Sequence, residues 1–231
     1  NCTKINKAEY TVDLLNDCFD KEFEYRLYFP LYQILESAYV GVNEDAKFKF
    51  YKLNQETLVI YGTSISQGGC ATRPGMDYGA ILGRMLNLNV INLGFSGSCK
   101  MEHRMLEILN MIEDKKYLIF EVECNTAGAA LFNEKFPYFM ENLKNKDDIK
   151  IYLVSHFDEA MGLVKTGYAN YRKEFYDAQK AMCEKYNITF VDGTELIKEI
   201  NKDGSVDGAH LSDLGFYFVA KGFAKIIRKD K

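Results

Sequence analysis

The sequence predicts an α/β fold: a three-layer α/β/α unit built on a five-stranded parallel sheet, with a small β-rich segment ahead of it. Three observations predict it. From residue 57 onward, short apolar runs alternate with longer amphipathic stretches. The short runs are continuously apolar, as in strands covered on both faces, and do not alternate with polar residues. The chain has 231 residues, 47% of them apolar and 14% aromatic, enough for one domain with a sizeable core plus an appendage.

Each element follows from its local pattern. Thr57 to Tyr61 is a compact β-type run ending at Gly62, and Asp77 to Leu86 reads as a helix. Val90 to Leu93 is a second strand ending at Gly94, followed by helical spacing over Met101 to Ile112. Tyr117 to Val122 is a third strand. Leu131 to Leu143 reads as a helix that Pro137 would kink. Ile151 to Val154 and Ile188 to Val191 are the fourth and fifth strands, separated by a long amphipathic helix over Tyr168 to Tyr186. Asp213 to Arg228 closes the chain as a helix with Ser212 as its N-cap. Strands alternating with helices imply right-handed crossovers and a ligand site at the carboxyl ends of the strands.

Residues 1–55 read differently and form the expected N-terminal appendage, with the main domain over 56–231. Phe23 to Phe29 alternates at period two, Pro30 limits it to an edge, and Ala38 to Val42 and Lys47 to Phe50 resemble further short strands. Thr11 to Phe19 reads as a short helix. The chain begins at Asn1, not at methionine, so the sequence reads as a processed or truncated piece whose export signal, if any, is gone.

Composition narrows the function. The net charge of −4 gives no basic surface for nucleic acid, and the basic run Lys225 to Lys231 suits the negative end of a closing helix. No apolar run reaches the roughly 18 residues of a membrane span, so a soluble protein is expected, with its compartment and oligomeric state open. Six cysteines occur without a Cys-x-x-Cys pair, which argues against a zinc ribbon. Glu121 and Glu123 could join Asp207 around a metal, but the chain has three histidines and no recurring ligand spacing, so no metal or other cofactor is expected.

Four places after strands carry chemistry. Ser64 lies in a glycine-assisted turn after the first strand, and Gly94 follows the second. Asn125 follows the third, and Asp207 stands three residues before His210 ahead of the last helix. A serine hydroxyl needs a neighbouring base to act as a nucleophile at neutral pH, and histidine suits that task. A carboxylate fixes the imidazole tautomer. The expected catalytic set is therefore Ser64, Asp207 and His210. The backbone N–H groups of Ser64 and Gly94 and the side-chain amide of Asn125 are the expected oxyanion donors. His103 reads as a surface residue. His156 either lines the pocket or is structural, and Arg73 with Gly68 and Gly69 either shapes the substrate site or is plain loop.

These blocks resemble the SGNH, or GDSL-like, hydrolase superfamily. Gly62-Thr63-Ser64-Ile65 matches its Gly-Asp-Ser-Leu block, with Thr63 in place of the aspartate. Gly94 and Asn125 match its oxyanion residues, although Glu123-Cys124-Asn125-Thr126 lacks the usual glycine and aspartate. The Asp-x-x-His block is intact from Asp207 to His210. The run from Gly62 to Ala71, followed by Arg73 to Met76, is similar to bacterial GDSL-like acylhydrolases that carry an N-terminal β-rich module, and Tyr25 to Tyr32 resembles the end of that module. The resemblance covers about residues 20–229. It implies a flavodoxin-like sheet and an esterase cleaving a small acyl ester, with an acylated carbohydrate as the favoured partner. A carbohydrate-binding module without turnover and an acyltransferase use the same residues and stay open as alternatives.

Overall fold

The computed structural model describes residues 11–14, 22–50, 56–157 and 165–230. Five strands form one parallel sheet: β1 (Thr57–Gly62), β2 (Asn89–Gly94), β3 (Lys115–Glu121), β4 (Lys150–Val154) and β5 (Thr189–Val191). Their order across the sheet is β2-β1-β3-β4-β5, with every neighbouring pair parallel. The chain starts in the middle and winds outward in both directions, so the order reverses between β1 and β3, where such sheets open a crevice at their carboxyl ends.

Among the described residues, seven α-helices link or follow the strands: α1 (Ser64–Gln67), α2 (Tyr78–Leu86), α3 (His103–Met111), α4 (Ala129–Asn142), α5 (Tyr168–Tyr186), α6 (Gly193–Ile197) and α7 (Asp213–Lys229). The period of two along each strand sorts the core into two layers. Leu58, Ile60, Ile119, Tyr152 and Val154 face one side and pack with Leu82 of α2 and with Phe216 and Phe223 of α7. Val59, Tyr61, Leu118, Phe120 and Leu153 face the other and pack with Leu106, Phe136, Phe139 and Phe175 of α3, α4 and α5. The predicted strands and long helices all form, most with ends shifted by one or two residues. Ser212 caps α7 as expected, its side chain accepting from Gly215 N–H. Pro137 sits inside α4.

The N-terminal segment departs from expectation. No strand forms among the described residues 22–50, although a turn occurs at Glu44–Asp45. Phe23, Tyr25, Leu27 and Phe29 remain about half exposed. A period-two segment becomes a strand only where a neighbour supplies hydrogen bonds and covers its apolar face, and neither is present here among those residues. Most of the expected Thr11 to Phe19 helix lies outside the described residues. The segment does dock locally: Tyr28 Oη accepts from Arg84 Nη1 at 2.8 Å, and Leu31 carbonyl accepts from Gln67 Nε2 at 2.8 Å.

Candidate active site

The turn carrying Ser64 is built by close packing. A Cβ on Gly62 would fall 2.0 Å from Ser66 Oγ, so only glycine lets β1 turn directly into α1. Thr63 caps the helix, its hydroxyl accepting from Ile65 N–H at 3.2 Å. Gln67 N–H goes to Thr63 carbonyl at 3.0 Å, and Gly69 N–H returns to Ser64 carbonyl at 2.7 Å. These bonds fix the serine at the carboxyl end of β1.

A histidine and a carboxylate arrive from the far end of the chain. His210 Nε2 lies 2.9 Å from Ser64 Oγ, and His210 Nδ1 lies 2.8 Å from Asp207 Oδ2. Asp207 Oδ1 accepts the backbone N–H groups of His210 at 2.7 Å and Ala209 at 3.0 Å, which locks the three-residue step into a turn. Burial alone would raise the Asp207 carboxyl, but the bonds from the His210 ring and from those two amides outweigh it and hold the group below the ordinary carboxylate range. An ionised carboxylate can only accept. The neutral ring therefore carries its proton on Nδ1, leaving Nε2 to accept from the serine.

A pocket of about 570 Å³ opens beside this pair, and Ser64, Asn125, His156, Tyr168, Tyr171 and His210 are among its lining residues. Asn125 Oδ1 accepts from Cys99 N–H at 3.3 Å. That bond orients the amide and leaves Nδ2 without an acceptor among the described residues.

Gly94 is placed differently from expectation. Its N–H donates to Asn92 Oδ1 at 2.9 Å, and a Cβ there would fall 2.2 Å from Gln67 N. The glycine thus allows β2 to approach α1, and its amide is already bound and unavailable to a substrate. The turn after it is more open. Phe95, Ser96, Ser98 and Cys99 all place their N–H groups on protein acceptors, whereas Gly97, at φ 69°, has none among the described residues. Gly97 stands three residues beyond Gly94 in the same stretch.

The other histidines separate as well. His156 is buried at the pocket wall, and its N–H donates to Glu123 Oε2 at 3.1 Å. His103 stacks on Tyr138 with ring centroids 4.0 Å apart. Arg73 is exposed, its guanidinium donating to Pro74 carbonyl. Among the described residues, no group of three His, Cys, Asp or Glu side chains is arranged to hold a metal.

Two further features escaped the sequence reading. Glu121 and Glu123 are both buried, and burial pushes both carboxyls up to about 7. The first touches Thr63 and Ser66, whereas the second faces Arg172. Tyr32 reaches the site from the N-terminal segment. A Cβ on Gly69 would lie 3.0 Å from the Tyr32 hydroxyl and 3.2 Å from His210 Cδ2, so both border the same point.

Comparison with known proteins agrees with this fold. The family model described as GDSL-like lipase/acylhydrolase matches residues 55–228. A Bacteroides ovatus protein described as a GDSL-like lipase is 31% identical, with a TM-score of 0.71 over 81% of this chain. The chain spans only 57% of that protein's length. At the level of fold, a Mycobacterium smegmatis aryl esterase (TM-score 0.59, 14% identity, covering 75% of this chain and 99% of that one) is similar. So is a carbohydrate acetylesterase family member from Sinorhizobium meliloti (TM-score 0.59, 15% identity, covering 75% and 98%). The comparison with curated proteins gives no match. On the strength of the family match over most of its length, the chain belongs to the GDSL-like lipase/acylhydrolase family.

Proposed function

We propose that this chain is a serine esterase that cleaves a small acyl ester through an acyl-enzyme on Ser64. The observation that carries the reading is the continuous relay from Ser64 Oγ through His210 to Asp207, with steps of 2.9 and 2.8 Å. His210 Nε2 takes the serine proton as Oγ bonds to the ester carbon. The tetrahedral centre then expels the alcohol, which leaves with that proton. Water repeats the sequence in reverse: His210 accepts its proton, its oxygen bonds to the acyl carbon, and Ser64 Oγ leaves reprotonated.

The developing oxyanion needs donors that no protein group already occupies. Ser64 N–H at the start of α1, Asn125 Nδ2 and Gly97 N–H meet that condition, and Gly94 does not. The wall of the pocket combines Asn125, His156, Tyr168 and Tyr171. Aromatic faces with polar tips suit a hydroxylated alcohol better than an alkyl chain, which favours an acylated carbohydrate.

Replacing the nucleophile tests the reading. Ser64→Ala should keep the melting temperature and lower turnover of p-nitrophenyl acetate by at least roughly 10⁴-fold. It should also abolish labelling by a fluorophosphonate probe. Turnover retained in this variant would remove the assignment.

A further inference from the structure

The family resemblance leaves one charge missing: Thr63 stands where an aspartate usually precedes the serine. A different carboxylate lies under the same turn. Glu121, at the end of β3, is 2% exposed. Its Oε2 accepts from Thr63 N–H at 3.0 Å, Thr63 Oγ–H at 2.7 Å and Ser66 Oγ–H at 3.0 Å. Ser66 Oγ accepts in turn from Tyr78 Oη at 2.7 Å.

We propose that Glu121 is a positioning residue for the reaction, clamping Thr63 and Ser66 on either side of Ser64 and supplying from β3 the negative charge absent from the turn. Three amides of the turn then have named acceptors. Thr63 N–H goes to Glu121, Ile65 N–H goes to the Thr63 hydroxyl, and Gln67 N–H goes to the Thr63 carbonyl. Ser64 N–H is left without an acceptor among the described residues, and it is the amide an oxyanion requires. A carboxylate oxygen gathering three donors is a job for the ionised form, since a protonated acid gives up acceptor capacity.

Burial works against that form and pushes Glu121 up to about 7. The titratable groups facing it are Tyr78 from α2, Cys99 from the loop after β2, and Cys124 beyond β3, all raised by burial and so neutral in this range. Full activity then requires the Glu121 carboxyl to lose its proton, besides the free base that the relay itself requires. A site held together by neutral hydroxyls would lack that extra ionisation.

The experiment is the pH profile of kcat/KM for p-nitrophenyl acetate in the full chain and in Glu121→Gln. On the acid side the wild type should fall more steeply than one ionisation allows, the extra loss matching the one that Glu121→Gln shows. The variant should fall with a slope of one, its kcat reduced by about tenfold or more and its KM within about twofold. Unchanged kcat and slope in a folded variant overturns the proposal. If Glu121→Gln does not fold, Ser66→Ala carries the test. It removes one donor and keeps the carboxylate, so kcat should fall several-fold with the steeper acid limb preserved, and an unchanged kcat again overturns the proposal. The inference rests on Ser64 as nucleophile. Failure of that reading shows as activity surviving Ser64→Ala, whereas failure of this one shows as an inactive Ser64→Ala beside a fully active Glu121→Gln.

Discussion

Glu121 and Glu123 stand at the same strand end, are equally hidden from solvent and are raised to the same value, yet their surroundings have little in common. Glu121 meets hydroxyls and amides. Glu123 meets a buried guanidinium, with Arg172 Nη1 3.1 Å from Glu123 Oε1. That second pairing is electrostatic and poorly aligned: neither of those two atoms, nor Arg172 Nε, reaches hydrogen-bond geometry with a partner. Directed donors place atoms to a fraction of an ångström, whereas a misaligned ion pair mainly cancels charge. Glu121 thus sits among directed donors beneath Ser64, whereas Glu123 sits against a countercharge in the pocket lining.

Three measurements would break or sharpen that contrast. The largest effect is expected from Arg172→Ala. It strands Glu123 without its cation and should lower stability by about 3–5 kcal/mol. Denaturant unfolding checks this, and the loss should shrink in acid, where Glu123 is protonated. A loss below about 1 kcal/mol would mean that the pair does not compensate a buried charge.

The next effect concerns pH. Each carboxyl has its ordinary value of 4.5 when unfolded and about 7 when folded. Between those values the folded chain holds more protons than the unfolded one, so stability contributed by these groups is full below pH 4.5 and declines as pH rises through 7. Thermal melting at about pH 5 and about pH 8 should therefore show a fall on the alkaline side, and Glu121→Gln should remove about half of it. An identical fall in the variant would place the titration elsewhere.

The smallest effect is expected from the double variant Glu123→Gln with Arg172→Met. Removing both charges should bring stability back to within about 1 kcal/mol of the wild type, well above either single change. If the double variant is as unstable as the sum of its parts, the two side chains act independently.

The sheet and its long helices were legible because their signals are local. Continuous apolar runs such as Leu58 to Tyr61 and Leu118 to Phe120 fit strands covered on both faces, as they are here. Ser64, Asp207 and His210 could be grouped because residue type and strand-end position coincide, and the structure brings them within hydrogen-bond reach of one another. What failed depends on distant partners. The role of Gly94 turned on Asn92 and on the backbone of α1, which no spacing reveals. Glu121 was read as one of several carboxylates near a strand, since its meaning lies in hydroxyls 55 and 58 residues away. The N-terminal segment has a strand's pattern, but a pattern forms no ladder without a neighbour.

Gly69 ties that segment to the pocket. A tyrosyl oxygen from residue 32 and the carbon edge of the His210 imidazole share it as a common neighbour. If His210 is the base proposed above, deleting that hydroxyl in Tyr32→Phe should alter the relative rates of esters with different leaving groups while the melting temperature holds.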